Sequence, residues 1–183
     1  MQGCTSVCPC FAERRFFQML HATIAFRSIC NITPEFLKGM GIKGLLLDID
    51  NTLTTHDNPT PAKGVLDWIS RMKQAGIQMR LVSNNHPPRV KPFSKVLGIP
   101  CICDANKPLS SGYSRAVASM HLQKHEVCAI GDQLYTDILG ANWFDLRSIY
   151  VQPLELETWK GHEFIRVKRI LEKPFLPKHF YDE

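Results

Sequence analysis

Two carboxylates stand one residue apart in LLLDIDNTLTTHD, residues 45–57, directly after a run of leucines. In an extended chain, positions two apart point to the same side, so Asp48 and Asp50 bring their charges together. Two like charges about 4 Å apart repel by roughly 4 kcal/mol at an effective dielectric near 20. Phosphate-ester cleavage gives a use for the pair. One carboxylate can attack phosphorus and form an aspartyl-phosphate, dividing one slow step into two. The other can protonate the departing alkoxide and later activate water. A phosphate dianion would add to the repulsion, so the pair calls for a divalent cation. Mg²⁺ suits hard oxygen ligands and usually keeps several waters while bridging carboxylates and phosphate.

Three further polar groups follow apolar runs. Ser83 ends IQMRLVS, Asp132 ends EVCAIGD, and Lys107 comes four residues after IPCIC. Asp48 and Asp132 are the natural side-chain ligands of the cation, with the main-chain carbonyl of Asp50 beside them. Lys107 supplies a fixed positive charge, and the Ser83 hydroxyl with nearby N–H groups can hold non-bridging phosphate oxygens.

The elements that must position these groups show in the pattern. Apolar runs at 42–49, 77–83, 99–103, 126–132 and 146–151 alternate with helical periodicity. In NPTPAKGVLDWISRMKQAG, Thr60 can cap and Pro61 can start a helix, Val65, Leu66, Ile69 and Met72 share a face, and Gly76 can end it. Similar patterns run over 87–97, 108–122 and 134–142, with a longer closing helix over 156–172. Such alternation predicts an α/β, doubly wound fold: a central, mainly parallel sheet between two helical layers. Ligands of such sheets bind beyond the carboxyl ends of the strands, where Asp48, Ser83 and Asp132 fall.

A chain of 183 residues is one generous domain. We expect it over 12–172, with 12–41 packed on or beside it, a flexible tail over 1–11 and a loosely held tail over 173–183. The formal charge of +5 favours anionic partners. Trp68, Trp143 and Trp159 are not interleaved with basic residues, so no nucleic-acid partner is expected. The apolar stretch FFQMLHATIAF is far short of the roughly 20 residues a membrane span needs, and MQGCTSVCPC does not read as a secretory signal. Seven cysteines, an odd count, suit a reduced, cytoplasmic chain. Cys4, Cys8 and Cys10 lack a second ligand pair at zinc-finger spacing and read as a thiol-bearing tail.

The motifs DIDNT (48–52), VSNN (82–85), NKP (106–108) and GDQLYTD (131–137), in this order, resemble the four motifs of the haloacid dehalogenase (HAD) superfamily of aspartate-nucleophile phosphatases. With ITPEFL, FSKVLGIP and GDQLYTDILGAN they resemble the YqeG family of its subfamily IIIA. The resemblance implies Asp48 as nucleophile, Asp50 as general acid/base, Ser83 as phosphate binder, Lys107 as the third-motif lysine and Asp132 as metal carboxylate. It implies phosphate support from Asn51, Thr52 and Asn84. Asp137 matches the second acid of the last motif, where it binds metal or fixes Lys107; a helix-start carboxylate favoured by the dipole explains it equally well.

Relatives of this family include a mitochondrial phosphatidylglycerophosphate phosphatase, which suggests a phospholipid substrate and a cytoplasmic protein peripheral at the membrane. Only 30 residues separate Thr52 from Ser83, and 23 separate Ser83 from Lys107, so there is no room for a large cap domain. An open site suits a phosphate on something large or on a membrane, and equally a promiscuous small-molecule phosphatase. Two other readings remain: a weakly active scaffold that binds a phosphorylated partner, and transfer to an acceptor other than water. The basic stretch Arg166, Lys168 and Arg169 reads as a solvated helix face. His56, Asp57 and His86 read as loop residues near the site entrance. ERRFFQMLHATIAFRSICNITPEF is expected to pack on the domain, with Thr33 capping a helix started by Pro34.

Overall fold

The computed structural model describes residues 16–56, 58–155 and 163–182. The expected tail over 1–11, Cys4, Cys8, Cys10, Asp57, Trp159 and the first turns of the closing helix lie outside them.

Six parallel strands make one sheet: β1 (Ile24–Phe26), β2 (Gly44–Leu47), β3 (Gln78–Val82), β4 (Cys101–Ile102), β5 (Val127–Gly131) and β6 (Arg147–Val151), in the spatial order β1-β6-β5-β2-β3-β4. The helices between them are α1 (Pro34–Gly39), α2 (Val65–Gln74), α3 (Pro87–Leu97), α4 (Ser110–Ala118), α5 (Leu139–Trp143) and the closing α6 (Glu163–Glu172). The fold is α/β, as the alternation predicts.

The central strand explains why the first motif begins with leucines. All four residues of β2 are buried. Leu45 and Leu47 pack with Trp68, Met72 and Phe93 on one face, and Leu46 packs with Tyr113 and Ala116 on the other. A strand buried on both faces must be apolar throughout. From β2 the chain winds outward through β3 and β4, then returns to β5 on the other side. That reversal opens a crevice between the carboxyl ends of β2 and β5, and both ends carry an aspartate.

The structure corrects several expectations. Strand β1 was not foreseen: Ile24–Phe26 pairs in register with Ile149–Val151 of β6, so this part of the N-terminal segment enters the sheet. Helix α2 starts at Val65 behind Gly64, not at Thr60 and Pro61, because Asn58 Oδ1 accepts from Thr60 N at 2.9 Å and the Thr60 carbonyl accepts from Thr54 Oγ1 at 2.6 Å. Those bonds hold Thr60 in a turn. On α2, Trp68 points inward and donates from Nε1 to the Ile32 carbonyl at 2.8 Å, whereas Leu66 is exposed. Gly76 ends the helix in a left-handed conformation, φ +77°, and Thr33 Oγ1 caps α1 from Phe36 N, both as expected.

The C-terminal stretch is not loose where described. Tyr181 N donates to Ala25 O at 2.8 Å, the Asp182 carboxylate accepts from Arg27 N, and the Tyr181 ring lies against Phe26 and Phe36. Among the described residues no helix is long and apolar enough to cross a membrane, and Cys30, Cys101, Cys103 and Cys128 are free thiols.

Candidate active site

Asp48 is the residue after β2, and its N–H continues the ladder to the Ile130 carbonyl of β5 at 3.0 Å. Ser83 follows β3 and likewise donates its N–H to Ile102 O at 3.0 Å. Asp132 follows β5. Three sheet-bonded strand ends thus set three polar residues beside one another.

Lys107 comes in from the loop before α4. The Asn84 side chain grips its main chain on both sides: Lys107 N donates to Asn84 Oδ1 at 2.6 Å, and Asn84 Nδ2 donates to Lys107 O at 3.1 Å. The Lys107 side chain is 4% exposed, and Nζ donates both to Asp48 Oδ1 and, at 2.6 Å, to Asp137 Oδ1. Asp137 Oδ2 accepts from Gln133 N at 3.1 Å, at the start of the π-helical turn Leu134–Ile138. Asp137 therefore both fixes Lys107 and serves a helix start. Gly131 makes room for it, since a Cβ there would collide with the Asp137 carboxyl.

Burial opposes the Lys107 ammonium, but the Asp137 and Asp48 carboxylates outweigh it and hold this group well above its ordinary value. Burial pushes Asp48 well above the usual carboxylate range; Asp137 and Asp132 push the same way, and Lys107 opposes them.

Asp48, Asp132 and Asp137 each offer a carboxylate oxygen within 4.8 Å of the other two. Three hard oxygen donors at that spacing fit a divalent cation. The Asp50 carboxylate faces elsewhere: Oδ2 accepts from Asn85 Nδ2 at 2.6 Å, and Oδ1 pairs with Arg89 Nη2 of α3 at 2.9 Å.

A cavity of about 170 Å³ opens over this cluster, lined by Asp48, Asp50, Ser83, Asn84 and Lys107 together with His56, Asn85, Gln133, Thr136 and Lys168. Asn51 and Thr52 do not line it. Asn51, at φ +62°, which asparagine tolerates better than most residues, gives its N–H to Thr54 O at 2.6 Å. Thr52 Oγ1 donates to Asp132 Oδ1 at 3.3 Å. His86 is exposed and pairs with Asp104.

Sequence reasoning missed Asn85 and Arg89 around Asp50, although Asn85 closes the second motif and Arg89 follows it by four residues. It also set aside α6, which brings Lys168 to the cavity and Arg169 onto Asp132.

A family model described as haloacid dehalogenase-like hydrolase matches residues 55–145. The "Probable phosphatase YqeG" of Bacillus subtilis (strain 168) is 44% identical over 128 residues, covering 70% of this chain and 74% of that relative. The chain belongs to the haloacid dehalogenase-like hydrolases, in the YqeG family of phosphatases. As in the sequence resemblance, this HAD phosphatase carries its motifs at strand ends. Its fold is shared with the crystal structure of an uncharacterized protein from Listeria monocytogenes serotype 4b, at TM-score 0.53 and 16% identity, covering 70% of this chain and 99% of that one. The span matched by the HAD family model leaves out both Asp48 and α6.

Proposed function

We propose that this HAD phosphatase hydrolyses a phosphate monoester in two steps through Asp48. The observation that carries the reading is the buried Lys107 ammonium set between Asp48 and Asp137 at the floor of the cavity. In the first step an Asp48 carboxylate oxygen attacks phosphorus, the bond from phosphorus to the ester oxygen breaks, and the leaving alkoxide takes a proton from Asp50. In the second, Asp50 accepts a proton from water, whose oxygen attacks the acyl-phosphate and returns phosphate and the Asp48 carboxylate. Asn85 and Arg89 each donate to one Asp50 oxygen, which fixes the carboxyl and leaves each oxygen a second lone pair for the proton. Lys107 offsets charge on the phosphoryl oxygens, and Ser83 lines the same cavity as a further donor.

Asp48, Asp132 and Asp137, with the main-chain carbonyl of Asp50, would hold Mg²⁺. When bound, it would favour the ionised form of Asp48 and would screen the phosphate from the carboxylates.

For the substrate we infer a phosphate carried on a lipid, such as phosphatidylglycerophosphate, handled by a cytoplasmic protein peripheral at the membrane. The absence of an inserted cap domain among the described residues supports it. So do the exposed Val167, Ile170 and Leu171 of α6, on the helix that brings Lys168 to the cavity. The test is phosphate release with and without Mg²⁺ from phosphatidylglycerophosphate in mixed micelles beside soluble esters. Mg²⁺-dependent release from the lipid is expected. Activity on soluble esters alone would overturn the substrate and keep the mechanism; no release from any ester would favour a scaffold that only binds its phosphorylated partner.

A further inference from the structure

The Asp132 side chain is fully buried and held from two directions. Thr52 Oγ1 donates to Oδ1 from the first-motif loop. From the far end of the chain, Arg169 of α6 pairs through Nη2 with Oδ2, and its Nη1 donates to the main-chain oxygen of the same aspartate at 2.6 Å. One planar fork therefore grips both the carboxylate and the peptide of Asp132, which fixes direction as well as charge.

Glu172, three positions on in α6, is 1% exposed. Its Oε2 accepts from Arg169 Nη1 at 3.4 Å, and its Oε1 accepts from Tyr135 N at 3.0 Å. The helix is thereby tied to the loop that carries Asp132 at two points, three residues apart. A surface helix held only by apolar contacts needs none of this, and a buried carboxylate such as Glu172 is costly without a partner.

We propose that Arg169 is a positioning residue for metal binding: it fixes the orientation in which Asp132 offers an oxygen to the cluster with Asp48 and Asp137, and Glu172 anchors Arg169. This rests on the reading that the cluster holds Mg²⁺. A guanidinium beside a cation site has two effects of opposite sign. Its charge repels the cation, and its hydrogen bonds hold a ligand in place. Orientation prevails, because partners behind a ligand commonly contribute about 10–100-fold to metal affinity.

The test uses the full chain and its Arg169→Met and Arg169→Lys variants. Mg²⁺ binding is measured by calorimetry and by the rise in unfolding temperature on adding MgCl₂, without substrate. Arg169→Met is expected to bind Mg²⁺ about 10–100-fold more weakly. Arg169→Lys keeps the charge, loses the fork and recovers only part. In turnover, both need more Mg²⁺ for half-maximal rate, while the substrate KM at saturating Mg²⁺ stays near wild type.

Mg²⁺ binding by Arg169→Met as tight as wild type, or tighter, would overturn the proposal, leaving the guanidinium as a counter-charge. Full recovery by Arg169→Lys would also overturn it, since charge alone would then suffice. Unfolding without Mg²⁺ checks that each variant folds, and Arg169→Lys carries the test if Arg169→Met does not fold. A wild-type chain that binds no Mg²⁺ overturns the metal reading and this proposal together; a wild type that binds it beside an unaffected Arg169→Met overturns this proposal alone.

Discussion

Two cationic clamps hold the acidic centre, and they differ in origin and in work. Lys107 reaches Asp48 and Asp137 across 59 and 30 positions of sequence, from the loop beyond β4. It is sealed under the cavity, one ammonium between two carboxylates. Arg169 reaches Asp132 from the last helix, keeps 13% of its side chain exposed, and divides its bonds among a carboxylate, a carbonyl and Glu172. The first clamp balances charge, because one ammonium bonds to both carboxylates. The second sets direction, because a forked group bound at several points fixes a side chain in a way a point charge cannot. A site of this kind separates neutralising its acids from aiming them.

Variants can break that division. The largest expected effect comes from Asp48, which the first clamp holds directly. Asp48→Asn should cut Mg²⁺-dependent phosphate release by at least about 10³-fold with circular dichroism unchanged; undiminished release would remove Asp48 from the mechanism.

Lys107→Met comes next. It leaves the buried Asp137 and the largely covered Asp48 without their ammonium, and breaking a buried pair costs about 3–5 kcal/mol. Denaturant unfolding in a chelator should show that loss, and added Mg²⁺ should restore part of it. Arg169→Met should cost clearly less in metal-free stability and act mainly on Mg²⁺ affinity. Equal losses in chelator would erase the distinction between the clamps.

The smallest effect is a pH slope. Burial raises Glu172 above its ordinary value, and Asp48 is raised in the same sense. A carboxyl with a raised folded value binds more protons folded than unfolded, so its contribution is present below the unfolded value and lost as pH rises through the folded one. Metal-free stability, followed by unfolding temperature from about pH 4 to pH 7, should therefore carry a downward contribution from both groups. Glu172→Gln should remove only its own share; a slope unchanged by Glu172→Gln would take Glu172 out of that balance.

The charge-balancing clamp was legible in the sequence, and the aiming one was not. Asp48, Ser83 and Asp132 end apolar runs, and a strand end in a parallel sheet is a known address. Lys107 could be placed because its loop follows such a run. Arg169 stands in a helix whose basic residues look alike whether they face water or a carboxylate. That choice is made by where α6 docks, a tertiary fact. Strand β1 escaped for a related reason: IAF is three residues long, and its edge position exists only because β6 offers a partner. Asn84 was read as facing phosphate, while its amide also braces the Lys107 backbone. The paired hydrogen bonds that do this have no signature in residue type.

The central claim is that phosphate passes through Asp48. Rapid acid quenching of the enzyme during turnover of a soluble ester, followed by mass spectrometry of the peptide that carries Asp48, tests it directly. A phosphoryl adduct on Asp48, formed with Mg²⁺ and lost as substrate runs out, is the expected result. Phosphate release at the full rate with no adduct on that peptide, and the same rate from Asp48→Asn, would contradict it.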